Sequence, residues 1–195
     1  MRVGVLVSGR GSNLEAILEA GIRVELVVSN RPSVRALQVA EAHGVPVVCL
    51  RRAAFADAEA RDRAIGNALT DAGVNLAVLA GYDQLLRASY FAAFRGRTIN
   101  IHPSLLPAHG GAGMVGLAVH RAVIASGDAE SGCTIHEVTA ELDAGPTLAQ
   151  SRVRVEPDDD AECLAARVLA EEHRLLVATL ERLHARRTAI GHEAC

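Results

Sequence analysis

The stretch Arg2-Val3-Gly4-Val5-Leu6-Val7-Ser8-Gly9-Arg10-Gly11-Ser12-Asn13-Leu14-Glu15-Ala16-Ile17-Leu18-Glu19-Ala20 decides the architecture. A short apolar run ends in a glycine turn, and a helical pattern follows from Leu14 to Ala20. Strand, glycine turn and helix start, in that order, aim backbone N–H groups and the positive end of a helix at an anion. Ser12 and Asn13 suit a helix cap and can add side-chain donors. The turn is not a dinucleotide fingerprint, because Leu14 stands where GxGxxG needs its third glycine. Nor does the next strand supply an acid for a ribose, since it ends Val28-Ser29-Asn30. Two readings stay open, a glycine turn without a ligand and a site for a single phosphate group; the second is favoured.

The same alternation continues outward from this stretch. Val24 to Val28 reads as strand two, Val34 to His43 as a helix, Val45 to Leu50 as strand three and Ala56 to Ala72 as a long helix closed by Gly73. Leu76-Ala77-Val78-Leu79-Ala80 is apolar throughout, as a strand buried on both faces should be. Four βα units in succession predict an α/β fold, a doubly wound and mostly parallel sheet with flanking helices. Beyond residue 107 the pattern loosens into His109 to Gly116, where glycines at 110, 111, 113 and 116 make a flexible loop. Leu117 to Ser126 reads as a helix. Cys133 to Val138 and Leu148 to Val155 alternate as strands, joined by the turn Leu142-Asp143-Ala144-Gly145-Pro146. Asp158-Asp159-Asp160 then opens a long amphipathic helix to about Arg187, its acids matching the positive helix end. The expected organisation is one domain over residues 1–187 and a frayed tail over 188–195.

Composition narrows the function. With 195 residues, half of them apolar and 22% charged, the chain has the makings of a globular core. A net charge of −3 argues against a nucleic-acid partner, which would need a basic face. No apolar run reaches the roughly 18 residues of a membrane span. Met1-Arg2 leads directly into a strand with no cleavage site, so a signal peptide is not expected. Cys49, Cys133, Cys163 and Cys195 are scattered, without a CxxC pair, and read as reduced thiols. The histidines His102, His109, His120 and His136 show no metal-ligand spacing, so no metal is expected. These features together predict a cytoplasmic protein. Every one of the 20 basic residues is Arg. The absence of Lys removes both the Walker phosphate loop and the pyridoxal Schiff base, which require it.

The chemistry concentrates at Asn100-Ile101-His102-Pro103-Ser104-Leu105-Leu106-Pro107. Arg97-Thr98-Ile99 leads in as a short strand, and two prolines stop any helix from starting. Asn100 and His102 stand two apart at the strand's carboxyl end, so period-2 alternation sends both side chains to one side. That end is where open α/β sheets bind ligands. Asn100 offers an amide donor, and His102 an N–H and, when charged, a cation. With the carboxylate of Asp143 to orient the imidazole or move a proton, the set suits acyl transfer between an amine and a carbonyl. No side-chain nucleophile is needed if the amine attacks directly.

At these residues the sequence resembles the glycinamide ribonucleotide (phosphoribosylglycinamide) formyltransferases, of the folate-dependent formyltransferase family. The likeness covers nearly the whole chain. It is carried by Val5 to Leu14, by Asn100 to Pro107 and by Glu141-Leu142-Asp143-Ala144-Gly145-Pro146. The Asn-x-His-Pro-Ser-Leu-Leu-Pro motif with a later Asp-x-Gly-Pro is specific to folate-dependent formyl transfer, and Gly11-Ser12-Asn13 narrows it to the ribonucleotide branch. Other members, methionyl-tRNA formyltransferase and formyltetrahydrofolate hydrolase, carry extra domains for which the chain has no room. The resemblance implies a formyltransferase-like Rossmann variant that moves the formyl group of 10-formyltetrahydrofolate to the glycinamide amine in purine biosynthesis. It implies catalytic roles for Asn100, His102 and Asp143, and ribonucleotide contacts from Gly11, Ser12, Asn13 and Glu172. It implies a pterin pocket lined by Tyr82, Gln84, Leu85, Leu86, Thr139 and Leu142, and a further histidine near the site, His136. Small molecules are the implied partners, with no nucleic acid or membrane, in a monomer or homodimer.

The chain also departs from that family. Asp83-Gln84 stands where an Arg is common, and Ala58 where some members meet the folate's glutamate tail with Arg; Arg61, one turn away, is the expected substitute. Leu169 replaces a polar residue one turn before Glu172. The loop from Ala108 to Val119 is longer than in well-known members, with Ala112 and Val115 where larger side chains are expected. Three other functions compete: a formyltransferase for another small amine, a hydrolase built on Ser104, His102 and Asp143, and a non-catalytic phosphometabolite-binding domain.

Overall fold

The computed structural model describes residues 1–192, side chains to residue 186. The chain forms two compact units, Arg2–Ile99 and the described residues from Asn100 onward together with Met1. Its seven strands order β3-β2-β1-β4-β5-β6-β7, and the sheet is mostly parallel. They span Val3–Val7 (β1), Val24–Ser29 (β2), Val47–Cys49 (β3), Leu76–Leu79 (β4), Arg97–His102 (β5), Glu130–Glu137 (β6) and Thr147–Arg154 (β7).

In the first unit β1 pairs in parallel with both β2 and β4, and β2 with β3. The helices are α1 (Ser12–Glu19), α2 (Arg35–Ala42), α3 (Ala58–Asp71) and α4 (Ala88–Ala93). All five residues of β1 and all four of β4 are buried, the continuous apolar run expected of strands covered on both faces. Each predicted helix and strand before residue 80 is present. Strand three is only three residues long, because Pro46 cannot donate to the ladder. Helix α4 was not read from the sequence. Its Tyr90 is fully buried and bonds Thr98 Oγ1 at 2.9 Å, so tertiary packing rather than periodicity carries that short helix.

In the second unit β6 and β7 pair antiparallel, with a register shift between Ile135 and His136. Helix α5 (Leu117–Ser126) has its predicted limits. Helix α6 runs Ala161–His192, five residues past the predicted end; of the predicted tail, residues 193–195 lie outside the described residues. Asp160 Oδ1 accepts the Cys163 N–H at 2.7 Å, so the acidic run caps the helix as its position implied. Leu164, Val168, Leu176 and Leu180 form the buried stripe of α6 at helical spacing. Glu172 sits in that same stripe, only 7% exposed. A carboxylate at a core position is rare without a partner or a function.

Candidate active site

Asn100 and His102 lie at the carboxyl end of β5, as expected, and both side chains join one cluster. His136 Nδ1 lies 2.9 Å from the Glu137 carbonyl, which can only accept, so that nitrogen carries the proton. Nε2 is then the acceptor for the Asn100 amide at 3.1 Å. Burial is the largest influence on His136 and holds its pKa below the ordinary 6.5, against the pull of Asp143. His136 is therefore a neutral acceptor that fixes which way the Asn100 amide faces.

Asp143 closes the cluster. Its Oδ2 is 3.8 Å from His102 Nδ1, and its Oδ1 is 3.6 Å from His136 Nε2. Both gaps exceed a hydrogen bond, a common looseness before substrate arrives. His102 is buried, and its Nε2 donates to the His109 carbonyl at 3.0 Å. Asp143 has a left-handed backbone, φ 53°, which a residue with a Cβ adopts at a cost of about 1–2 kcal/mol. Strain of this kind collects at functional sites. The turn is fixed from the other side by Gly145, where a Cβ would come within 1.9 Å of the Glu137 carbonyl oxygen. That contact is the physical content of the Asp-x-Gly-Pro motif.

The proline-flanked segment after β5 is wired into the sheet. Ser104 Oγ donates to the Ala108 carbonyl at 2.7 Å and is fully buried. Thr134 Oγ1 donates to the Ser104 carbonyl and accepts the Leu106 N–H, while Gln150 Nε2 donates to the Leu106 carbonyl at 2.8 Å. Ser104 thus gives its proton to a backbone carbonyl and His102 Nε2 gives its own to the His109 carbonyl, so the serine–histidine hydrogen bond that the hydrolase reading needs is not made among the described residues. Thr134 and Gln150 escaped the sequence reading; a polar residue facing inward on a strand was the available signal.

In the first unit, Gly11 is the residue preceding α1, with φ 79°. A Cβ there would sit 2.7 Å from Ala36 Cα and Cβ, so glycine is required by helix α2 as well as by the turn. No side chain caps α1: Ser12 is its first helical residue, not the cap, which corrects the expectation for Ser12 and Asn13. A left-handed glycine before the helix cannot bond the first N–H groups, and these are the donors an anion would meet.

The β4–α4 connection carries Tyr82, Gln84, Leu85 and Leu86. The Tyr82 hydroxyl is buried with no hydrogen-bond partner among the described residues, and burial pushes its pKa up to about 12. Leu86 is core, whereas Leu85 is 42% exposed. Asp83 accepts from Asn30 Nδ2 at 2.7 Å, pairs with Arg31, and takes the Ser8 hydroxyl as acceptor for its own N–H at 3.0 Å. It ties together the ends of β1, β2 and β4. Arg61 does not play the substitute role expected of it. Its side chain is 2% exposed; Nε and one terminal nitrogen bond Asp62, and the other bonds Gln84 Oε1 at 3.1 Å. The Asp62 carboxylate in turn accepts the Arg87 N–H at 3.0 Å. A cation buried in this way holds the connection in place and cannot reach a solvent-exposed glutamate tail.

Thr139 and Leu142 lie in the β6–β7 turn; Thr139 Oγ1 bonds the Glu141 carbonyl at 3.1 Å, and Leu142 is 49% exposed. Beside Glu172, the Cys133 thiol is pushed up to about 12, by burial first and then by the Glu172 and Glu171 charges, so it is an inert core group. Among the described residues no group of three or more His, Cys, Asp or Glu could hold a metal ion, and no helix is long and apolar enough to cross a membrane.

A family model described as formyl transferase matches residues 1–180. The phosphoribosylglycinamide formyltransferase of Escherichia coli (strain K12) is 37% identical, over 89% of this chain and 82% of its own length. The chloroplastic phosphoribosylglycinamide formyltransferase of Vigna unguiculata is 42% identical, over 93% of this chain and 60% of its own. The chain spans less than two thirds of the first relatives it matches, from 13% to 63% of their lengths. The crystal structure of glycinamide ribonucleotide transformylase 1 from Symbiobacterium toebii superposes with a TM-score of 0.86 at 40% identity, covering 92% of this chain and 85% of that one. With the family's pattern over residues 1–180 and the Asn100–His102–Asp143 cluster assembled, the chain belongs to the formyl transferase family, among the phosphoribosylglycinamide formyltransferases.

Proposed function

We propose that the protein transfers the formyl group of 10-formyltetrahydrofolate to the amine of glycinamide ribonucleotide in purine biosynthesis, as one cytoplasmic domain over residues 1–187, monomeric or homodimeric, without a metal. The observation that carries this reading is the cluster of Asn100 and Asp143, half-buried, with the buried His102 and His136. The substrate amine attacks the formyl carbon, and the carbonyl π electrons move onto oxygen to give a tetrahedral oxyanion. Asn100 has two amide hydrogens; His136 takes one, which leaves the other for the oxyanion. His102 supplies a second donor. Removing one such donor from an enzyme typically costs about two to three orders of magnitude. Asp143 accepts the proton released by the attacking amine through a water, while His102 keeps its Nε2–H for the oxyanion. The same proton is then available to the folate nitrogen as its bond to the formyl carbon breaks.

The remaining residues bind. The backbone at Gly11, Ser12 and Asn13, at the start of α1, meets the ribonucleotide phosphate, and Glu172 contacts the ribonucleotide. In the first unit the pterin is assigned to Tyr82, whose hydroxyl has no hydrogen-bond partner among the described residues, with Gln84, Leu85 and Leu86; in the second unit it is assigned to Thr139 and Leu142. Purified protein with both substrates and no added metal should produce tetrahydrofolate, followed by absorbance, with a stoichiometric formylated product. Formyl transfer to another small amine in preference to glycinamide ribonucleotide would replace the acceptor. Ribonucleotide binding without any folate turnover would leave a binding domain.

A further inference from the structure

His109 is held at both ends. Its main-chain carbonyl accepts the Nε2–H of His102 at 3.0 Å. Its side-chain Nε2 bonds Asp128 Oδ2 at 2.6 Å, a residue just beyond α5. Two positions later, the Gly111 N–H donates to Asp143 Oδ2 at 2.9 Å. A three-residue segment therefore bonds both the imidazole and the carboxylate of the candidate catalytic pair with its backbone. Ser104 Oγ holds the chain just before it at the Ala108 carbonyl, but His109 and Gly111 both have positive φ, and Ala112, Gly113, Val115 and Gly116 beyond them are exposed. A glycine-rich strand of chain has high conformational entropy and needs an anchor to stay in one place. The His109 side chain, 17% exposed, is where that anchor attaches.

We propose that His109 and Asp128 are positioning residues for formyl transfer: their side-chain contact seats the loop whose backbone sets the ring of His102 and the carboxylate of Asp143. The proposal rests on the formyltransferase reading for its kinetic arm alone. With the His109 carbonyl on Nε2, the His102 ring cannot flip, and Nδ1 is kept toward Asp143. With the Gly111 N–H on Oδ2, the strained Asp143 turn is kept facing that nitrogen. Neither His109 nor Asp128 needs to touch substrate. The loop is both a restraint and a gate, because the His109 carbonyl must give up the His102 N–H when the substrate oxygen claims it.

The test uses the full chain as wild type, Asp128→Ala, His109→Ala, their double and His109→Gln, which keeps a donor toward Asp128 without the imidazole. The first readout needs no activity: hydrogen exchange at the Gly111 amide and nitrogen NMR of the His102 ring. Asp128→Ala should speed Gly111 exchange and release the Nε2–H of His102 by roughly fivefold, the size of a hydrogen bond to a charged group discounted for exposure. In the second readout, kcat should fall by about the same factor while both KM values hold. His109→Gln should restore most of the loss, and the double variant should be little worse than either single. Unchanged exchange and an unchanged ring in Asp128→Ala overturn the proposal, whether or not the wild type transfers formyl. So do multiplicative losses in the double, or a loss confined to KM. A wild type without formyl transfer but with the expected exchange changes would overturn the functional reading and leave the positioning role standing.

Discussion

At the residue scale the cluster divides its labour between groups that meet the reacting atoms and groups that hold them. Asn100→Ala and His102→Ala should each lower kcat by about two to three orders of magnitude with a much smaller change in folate affinity. Parallel collapse of affinity and rate would mean a structural role. Asp143→Asn keeps the shape and removes the charge; its loss should overlap with that of His102→Ala in the double variant, since groups acting as a unit are not additive. Fully multiplicative losses would separate the two. His136 was placed near the site by resemblance, with no role read from its position, and the bond to Asn100 supplies one. His136→Leu removes the acceptor and lets the amide rotate, which should cost roughly 1 kcal/mol of transition-state stabilisation, about a fivefold fall in kcat. His136→Gln, which keeps an acceptor oxygen, should recover part of it; equal rates in all three proteins would remove His136 from the mechanism.

At the scale of the element, the two glycine segments behave differently from their shared composition. The turn before α1 is rigid, since Gly11 is pressed against Ala36. Gly11→Val would therefore damage the α1–α2 packing before it could report on a phosphate. Ser12→Ala is the cleaner probe and should weaken the ribonucleotide by roughly 1–3 kcal/mol while leaving folate untouched. Equal binding of the unphosphorylated riboside would undo the phosphate assignment. The connection after β4 depends instead on charge buried beneath it. Arg61→Leu strands the Asp62 carboxylate, whose side chain is 0% exposed, and breaking such a pair typically costs about 3–5 kcal/mol. A urea midpoint unchanged in that variant would show that Arg87 alone satisfies the acid.

At the scale of the whole molecule, what the sequence disclosed and what it hid follow from one distinction. Periodicity and motif spacing expose elements whose burial is set by their own residues: β1, β4, α5 and the Asn100–His102 strand end were all legible. Partnerships between distant residues leave no local mark. Nothing near Arg61 signals that it is buried against Gln84, and nothing near Ser12 signals that the cap is Gly11 because of Ala36. The pH dependence of stability belongs to this scale, because it sums such partnerships. His136 and His120 are both held below the ordinary 6.5, in each case chiefly by burial. The unfolded chain binds their protons below about pH 6.5 while the folded chain does not, so their contribution is complete above that pH and is lost as pH falls through the folded values. Asp83 is shifted the other way from its ordinary 3.8: burial alone would raise it, but bonds from Asn30, Gln84 and Ser8 and the charge of Arg31 outweigh that and lower it. Its contribution is lost only below about pH 4. Acid should therefore weaken the fold in two steps, a first as pH drops below about 6.5 and a second in the carboxylate range. Urea midpoints measured from pH 8 to 3 would resolve them, and His120→Gln with His136→Gln should flatten the first step and spare the second. A midpoint level down to about pH 4.5 in the wild type would show that neither histidine is held neutral by the fold.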